Sequence, residues 1–227
     1  MSMELIRELG RVRDAFWAAK DEILLRHPTW DKMKDARISI FSKCINVCNS
    51  TYLGMTYIQF HLIQERYWKT ISIRHLPRED IQIYIKEFDM FIKMGLLQFI
   101  YSSIESGFRL FVKTIDPKAC AGGTSEFKNI YSFFLTRLGL SKFEHLLDLL
   151  RLIRNTVHNN GVYFHRSNID ETVTYQRKKY FFRIGKPVDF VNWRFLLSLM
   201  PDVRNLLISV VESRKISRAV KILDPFF

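Results

Sequence analysis

Glycine and proline are scarce in this chain, which has nine Gly and six Pro among its 227 residues. Sandwiches and propellers need many tight turns, which these two residues commonly supply, so their scarcity disfavours both folds. The chain is 48% hydrophobic and contains nineteen Phe, so it can bury a substantial core without disulfides or a metal ion. The composition therefore predicts an all-α fold of ordinary domain size.

Cysteine is also rare, with single copies at Cys44, Cys48 and Cys120. An odd and small number of thiols is typical of a reducing compartment, so we expect a cytoplasmic protein. Cys44 and Cys48 share a helix face, but no second pair with metal-ligand spacing follows, and burial as small apolar residues is the better interpretation. We predict no metal, since the histidines other than His158 show no ligand spacing with carboxylates or Cys. We also predict no cofactor, since phosphate-binding Gly loops, nucleophile elbows and dinucleotide fingerprints are all missing from the sequence.

No long uncharged apolar run is present. The most apolar stretch, residues 88–112, is interrupted by Lys93, Glu105 and Arg109. It therefore lacks the run of about 20 uncharged residues that a membrane span needs. The chain also opens directly into an amphipathic helix, without the apolar core of a secretion signal. We expect residues 88–112 to form a buried core helix and predict no membrane association.

Acidic residues are too few to balance the basic ones. The 35 Lys and Arg against 23 Asp and Glu give a formal net charge of +12. Positive charge of this size favours an anionic partner, such as nucleic acid, a membrane surface or an acidic protein. Many basic proteins bind no polyanion. The charge alone therefore leaves two alternatives open, a nucleic-acid partner or no polyanionic partner.

Apolar residues recur at three-to-four spacing along most of the chain, which predicts amphipathic helices. The predicted helices cover the start of the chain to residue 26, then residues 38–72, 79–114, 125–137, 141–160 and 190–214. His75-Leu76-Pro77 marks a break, and residues 121–124 are predicted to form a loop. We therefore divide the chain into an N-terminal helical extension, residues 1–76, and a helical bundle, residues 77–227.

Local signals mark how the later elements begin and end. Ser141 and Glu144 have the spacing of a capping box, and Gly161 supplies a left-handed turn after the helix that follows. Residues 172–175 and 180–184 alternate β-branched and aromatic side chains, which predicts a small β-hairpin after this helix. Asp189 is the predicted cap of the last helix.

Arg154 and His158 are four residues apart, so they project from the same side of one helix. They lie at the edge of its buried stripe, beside Arg151. A guanidinium binds phosphate through paired donors, and an imidazole can accept and return a proton near neutral pH. The alternative is structural, because cations in the last turn of a helix favour its dipole and Asn-Asn-Gly is an ordinary C-cap.

The segment Arg154-Asn155-Thr156-Val157-His158-Asn159-Asn160-Gly161 resembles the signature region of the HEPN superfamily (higher eukaryotes and prokaryotes nucleotide-binding). The earlier core helix around Glu105 is similar to a second family helix, and the resemblance covers residues 79–215. Many members are helical bundles that cleave RNA without a metal in toxin–antitoxin and phage-defence systems. Three residues separate Arg154 from His158, fewer than the four to six usual in the family, and this departure bears on catalysis more than on the fold.

The resemblance implies roles for the matching residues. His158 would move the proton of a 2′-hydroxyl or of the leaving oxygen, Arg154 would stabilise charge on the phosphorus, and Asn155 would orient the phosphate or the imidazole. Glu105, Arg151 and Asn159 would support them, although Glu105 could equally form a salt bridge with Arg109. The implied partners are RNA, a second copy in a symmetric dimer, and an antitoxin or other protein.

The predicted hairpin is rich in basic and aromatic side chains. Its basic residues are Arg177, Lys178, Lys179, Arg183 and Lys186, and its rings are Tyr175, Tyr180, Phe181 and Phe182. This mixture is typical of single-stranded RNA binding through phosphate contacts and base stacking. Alternatively, the rings pack on the helices and only the tip is solvated. The leading function is therefore an RNA-binding and RNA-cleaving HEPN-like protein, and the alternative is a non-catalytic helical module that binds a protein or a nucleotide.

Overall fold

The computed structural model describes residues 2–71, 76–119 and 126–225, and in these ranges the chain is mostly helical with one two-stranded sheet. The predicted helical fold with a small hairpin is confirmed. The helices are α1 (Met3–Arg26), α2 (Ala36–Tyr57), α3 (Glu65–Ile71), α4 (Arg78–Ile115), α5 (Phe127–Leu138), α6 (Glu144–Val157), α7 (Trp193–Val211) and α8 (Arg214–Ser217). The strands are β1 (Glu171–Tyr175) and β2 (Lys178–Phe182), which pair antiparallel. His75, Cys120 and the predicted loop at residues 121–124 lie outside the described residues.

The first helix ends where the sequence predicts, whereas the second is shorter than predicted. α1 stops at Arg26, just before His27 and Pro28, because proline cannot continue a helix. The predicted helix at residues 38–72 is divided into α2, a π-helical turn (Ile58–Leu62) and α3. The Trp68 indole donates a hydrogen bond to the Leu62 carbonyl at 2.7 Å. That bond gives a carbonyl at the helix end a partner outside the helix.

The long helix α4 is buried along only part of its length. It has 38 residues, and its buried side chains begin at Leu96. The prediction that residues 88–112 form one buried core helix is therefore wrong before Leu96. Further along, an ideal Cβ on Gly107 would lie 2.5 Å from Ile40 Cδ1, so α2 and α4 approach closely there and a larger residue at 107 would require the Ile40 side chain to move.

The core draws on residues from both sides of the predicted boundary at residue 76. Phe16 of α1 and Phe41 of α2 belong to the same buried cluster as Phe108 of α4 and Leu150 of α6. α1 also packs against α7. The N-terminal helices thus lie directly on the later ones, and the division into two domains stays a prediction.

The predicted capping box before α6 is wrong. Ser141 starts a short 3-10 turn, and α6 has no side-chain cap. The Glu144 carboxylate instead accepts a hydrogen bond from the Ser132 hydroxyl of α5. A tertiary contact therefore replaces the local one. α6 ends at Val157, earlier than the predicted residue 160.

The last long helix is also capped by a different residue from the predicted one. Asn192, not Asp189, accepts the amide hydrogen bond of Phe195 at 3.0 Å and precedes α7. An Asn in extended backbone immediately before a helix satisfies a free amide in the same way that Asp would. Pro201 lies within α7 without ending it.

The two described cysteines are buried, as predicted. Burial raises the pKa of the Cys48 thiol to about 12 and also raises that of Cys44. Both therefore stay protonated at neutral pH, which suits packing rather than metal binding. Within the described residues, none of the helices has both the length and the apolar character to span a bilayer.

Candidate nucleic-acid interface

The predicted catalytic residues lie in and just after the last turn of α6. Arg154 and Asn155 are half-buried, and His158 is the exposed C-cap residue. Gly161 follows with a φ of 85°, and its amide donates to the Thr156 carbonyl at 2.9 Å. This is the left-handed turn that the sequence predicts. It leaves the His158 imidazole open to a ligand on the surface.

Arg154 rests against an aromatic ring rather than against an acid. Its Cζ lies 6.0 Å from the centroid of the Tyr101 ring on α4, and one amino group donates to Asn155 Oδ1 at 3.4 Å. Its Nε is buried and has no hydrogen-bond partner among the described residues. A guanidinium without a carboxylate partner keeps its charge and donors for an anion, and phosphate matches its geometry.

Arg151, in contrast, is committed to a structural network. One of its amino groups donates to Glu171 Oε2 on β1 at 3.1 Å, and its Nε lies 3.9 Å from Asp148 Oδ1. The Tyr163 hydroxyl donates to the other Glu171 oxygen at 2.7 Å, and His165 Nε2 lies 3.6 Å from that oxygen. Arg151 therefore fastens α6 to the hairpin. None of the contacts described for Arg151 joins it to Arg154 or His158, so its predicted role in supporting the site stays a prediction.

Glu105 has the cationic neighbour that its burial predicts. Arg109 donates to Glu105 Oε1 through Nε at 3.1 Å and through an amino group at 2.7 Å. In the described ranges, no hydrogen bond joins Glu105 to Arg154 or Arg151. Burial raises the pKa of Tyr101 and the Glu105 charge raises it further, whereas the charges of Arg151 and Arg154 lower it. Glu105 therefore acts on the same tyrosine as Arg151 and Arg154, but none of its described hydrogen bonds holds either of these two arginines.

The Glu171 network gives stability a pH dependence. Burial would raise the pKa of Glu171, but the Tyr163 hydrogen bond and the Arg151 charge outweigh burial and hold it below its ordinary value of 4.5. Stabilisation by Glu171 is therefore complete above the unfolded-state pKa and is lost as the pH falls through the lower folded value. We expect Glu171→Gln to reduce the free energy of unfolding at pH 7 by about 1–3 kcal/mol. The free energy of unfolding of this variant should also fall less steeply as the pH is lowered into the acid range.

Urea unfolding between pH 3 and pH 7 measures this effect. Glu4→Gln is the matched control, because the Glu4 side chain is 79% exposed and its removal should have little effect at any of these pH values. Equal unfolding curves for Glu171→Gln and the wild-type chain would contradict the role given to the network.

The hairpin turns through two residues with positive φ, Gln176 at 49° and Arg177 at 64°. This is the backbone of a type I′ turn, whose twist matches that of paired strands. The turn is shorter than the predicted tip of residues 176–179. Its strands alternate between two faces. The inner face carries Val173, Tyr175, Tyr180 and Phe182, and the outer face carries Thr172, Thr174, Lys179 and Phe181.

Three of the four predicted stacking rings are buried. Tyr175 and Tyr180 are 8% exposed and Phe182 is fully buried, whereas Phe181 is 54% exposed. Tyr175, Tyr180 and Phe182 therefore pack on the helices, and Phe181 is the ring of these four that is exposed enough to stack with a base. All five predicted RNA-binding cations are exposed: Arg177, Lys178, Lys179, Arg183 and Lys186.

The chain after β2 returns to the end of α6. The Tyr163 amide donates to the Lys186 carbonyl at 3.0 Å, and the Val188 amide donates to the Gly161 carbonyl at 2.9 Å. Asn159, which is exposed, lies on the same turn. The chain therefore runs from the hairpin towards the turn after His158. We call four exposed residues along it the basic track: Lys179, Phe181, Arg183 and Lys186. Residues 172–188 contain five basic side chains and no acidic one.

A cavity of about 570 Å³ lies at the other end of α6. It is lined in part by Lys142 of the 3-10 turn before α6, by His145 in the first turn of α6, by Gln176 of the hairpin turn and by Asp202 of α7. Asp202 accepts a hydrogen bond from Gln176 Nε2 at 2.8 Å. The cavity is about 20 Å from His158 along the helix, so the predicted catalytic residues lie on open surface rather than inside it.

Sequence reasoning missed two residues that shape this surface. Tyr101 underlies Arg154, and Glu171 holds Arg151. Each is far from its partner in the sequence, so helix periodicity could not reveal the pairs. Among the described residues, no group of three or more His, Cys, Asp or Glu is placed to hold a metal ion.

The geometry defines a helical protein with a basic hairpin and, at the end of one helix, a half-buried Arg154 and Asn155 followed by an exposed His158. Comparison with known proteins adds no relative, since no family model, no curated protein and no solved structure matches the chain.

Proposed function

We propose that this is a HEPN-like RNA-binding protein whose helices form a bundle of that type, and that it binds single-stranded RNA along the basic track. We further propose that it cleaves the bound strand at the end of α6 without a metal ion. One observation carries the proposal, namely the return of the chain after β2 to Gly161 and Tyr163. It brings Lys186 and Val188 alongside the turn that follows His158, and these two residues continue the chain of the hairpin that carries the other cations and the exposed Phe181.

The basic track has the chemistry of a single-strand site. Lys179 and Arg183 lie about 13 Å apart at 3.3 Å per residue, so they can contact phosphates on either side of a base that stacks on Phe181. Arg183 Cζ lies 5.9 Å from the Phe181 ring centroid. The guanidinium can therefore contact a base that stacks on this ring. A duplex would not offer an unstacked base to this ring.

Cleavage would be a transesterification that needs only the RNA and side chains of this chain. The 2′ oxygen forms a bond to phosphorus while the bond from phosphorus to the 5′ oxygen breaks. His158 takes the proton from the 2′-hydroxyl, and water protonates the leaving oxygen. Arg154 stabilises the added negative charge on the phosphorane, and Asn155 orients the phosphate. DNA has no 2′-hydroxyl and is therefore an inhibitor at most.

Binding is tested by fluorescence anisotropy with a short labelled RNA at several salt concentrations. We expect the double variant Lys179→Gln/Arg183→Gln to bind at least about 10-fold more weakly and to reduce the slope of log K against log salt by about 1.4. Phe181→Ala should weaken binding about 5-fold or more without changing that slope.

The matched control for charge is Arg218→Gln/Lys221→Gln, which removes one Arg and one Lys, both exposed, near the C-terminus. It should leave affinity within about 2-fold of the wild-type chain. An equal loss in both double variants would mean that net charge alone attracts RNA, and it would contradict the basic track as the binding surface.

A further inference from the structure

The part of α4 up to Phe99 carries a row of aromatic side chains, of which Tyr84, Phe91 and Phe99 are exposed and Phe88 is half-buried. Between Arg78 and Gly95 the helix has no buried residue. Tyr84, Phe88, Phe91, Gly95 and Phe99 follow one another at spacings of three or four, so they share one face. We call these five residues the α4 stripe.

The α4 stripe is too apolar for an ordinary solvated face. Phe91 is 72% exposed, Phe99 62% and Tyr84 43%. Since an aromatic side chain offers roughly 200 Å², these three rings alone present about 350 Å² of apolar surface. A patch of that size on one helix is as large as the largest apolar patch of many monomers, and such patches are often functional.

The charge around the stripe favours an occupant other than RNA. Residues 78–99 carry three basic and four acidic side chains, a net charge of −1, in a chain whose formal net charge is +12. A local charge this close to zero gives a polyanion, or a strongly basic or acidic protein, little electrostatic attraction here. A surface that carries both signs in near balance fits a copy of itself.

The spacing within the stripe is symmetric about its midpoint. The midpoint between Tyr84 and Phe99 in the sequence falls between Phe91 and Ile92, and the midpoint between Phe88 and Gly95 falls at the same place. When two such helices pack antiparallel, Phe88 of one copy meets Gly95 of the other. An ideal Cβ on Gly95 has nothing within 4 Å, so the position is open to a close approach.

We propose that two copies of this chain associate through the α4 stripe, as antiparallel helices related by a two-fold axis near Phe91. Large and small residues then interlock, and each Tyr84 contacts Phe99 of the second copy. Such an isologous contact uses the same patch twice and closes as a dimer. The inference stands on α4 alone and does not depend on RNA binding.

This arrangement keeps the two α6 ends apart. Arg154 lies against Tyr101, which in the second copy falls opposite residue 82. The two Tyr101 side chains are therefore separated by about 30 Å along the helix axis, at 1.5 Å per residue. Each copy keeps its own Arg154 and His158, rather than sharing one cleft as the HEPN resemblance implies.

Sedimentation equilibrium of the full chain tests the proposal. The wild-type chain should dimerise with a dissociation constant in the micromolar range or below, and Phe91→Glu should raise that constant at least about 30-fold. Leu25→Glu is the matched control, because Leu25 is 82% exposed at the end of α1, and it should dimerise as the wild-type chain does. Circular dichroism checks that all three chains are folded.

Gly95→Ala separates close packing from simple stickiness. Alanine favours a helix over glycine, so the melting temperature of the monomer, measured at low concentration, should rise, while the dimer weakens several-fold because the added methyl group blocks Phe88. A wild-type chain that stays monomeric at about 100 μM would overturn the proposal. So would a dimer that Phe91→Glu or Gly95→Ala leaves unchanged.

Discussion

Replacement of His158 by alanine is expected to slow cleavage of single-stranded RNA at least about 100-fold, because a positioned proton acceptor contributes that much or more. Arg154→Ala should slow cleavage by about 100-fold to 1,000-fold, since charge on the phosphorane would lose its guanidinium. The assay follows a labelled RNA in EDTA by gel, and the expected products carry a 2′,3′-cyclic phosphate and a 5′-hydroxyl. A single 2′-deoxy substitution at the cleaved position should block the reaction.

Controls separate chemistry from folding. His145→Ala removes an exposed histidine at the other end of α6 and should leave the rate unchanged. Arg154→Lys keeps the charge but loses the paired donors, so it should restore only part of the rate. The melting temperatures of His158→Ala and the wild-type chain should agree, since the imidazole makes no described hydrogen bond.

RNA that stays intact during long incubation with the wild-type chain would refute cleavage. Salt-dependent binding that survives His158→Ala would then assign the basic track to a non-catalytic RNA-binding module. If Arg154→Ala lowers the melting temperature and leaves RNA binding unchanged, Arg154 is a helix-end residue that stabilises the fold against Tyr101.

Helix positions follow from the sequence because apolar spacing is dictated by the core. α1, α4 and α5 lie within about two residues of their predicted limits. The caps were harder to predict, since Glu144 bonds Ser132 of another helix and Asn192 precedes α7 in place of Asp189. Local cap signals compete with tertiary partners that a single sequence does not reveal.

The candidate site was predictable only where it is local. Four-residue spacing predicts that Arg154 and His158 project from one side of α6, and the structure has Arg154 in the last turn of that helix and His158 at its C-cap. The partner of Arg151 could not be predicted, because Glu171 is twenty residues later on a strand whose packing on α6 is a tertiary event. The same holds for the contact between Gly161 and Val188, which joins the hairpin to the helix end.

A buried ion pair lies at the start of α2, at two positions where charged residues would be predicted to lie on the surface. Arg37 is fully buried, and Asp35 is 4% exposed. The guanidinium donates to both Asp35 oxygens, at 2.8 and 2.6 Å, and its carbon lies 3.7 Å from the Trp30 ring centroid. It also donates to the carbonyls of Ile216 at 3.1 Å and Ala219 at 2.8 Å. The pair therefore fastens α2 to α8 and to the chain that follows it, although charged residues usually lie on the surface.

Removal of one member of this pair should strongly destabilise the fold. We expect Asp35→Ala to lower the free energy of unfolding by about 3–5 kcal/mol, because it leaves the Arg37 charge buried without a carboxylate and removes the acceptor of the Arg37 amide at the start of α2. Asp35→Asn should cost less, since its side-chain oxygen can still accept that amide. Urea unfolding measures each value.

Asp14→Ala is the matched control, because Asp14 pairs with its neighbour Arg13 on the surface, where the carboxylate is 66% exposed, and its loss should change stability by less than about 0.5 kcal/mol. The double variant Asp35→Leu/Arg37→Met tests whether the loss arises from charge. Apolar replacement of both members relieves the unpaired charge, but it leaves the carbonyls of Ile216 and Ala219 without their donor. It should therefore recover part of the stability lost in Asp35→Ala, and full recovery would mean that those carbonyl bonds contribute nothing to holding the C-terminal segment.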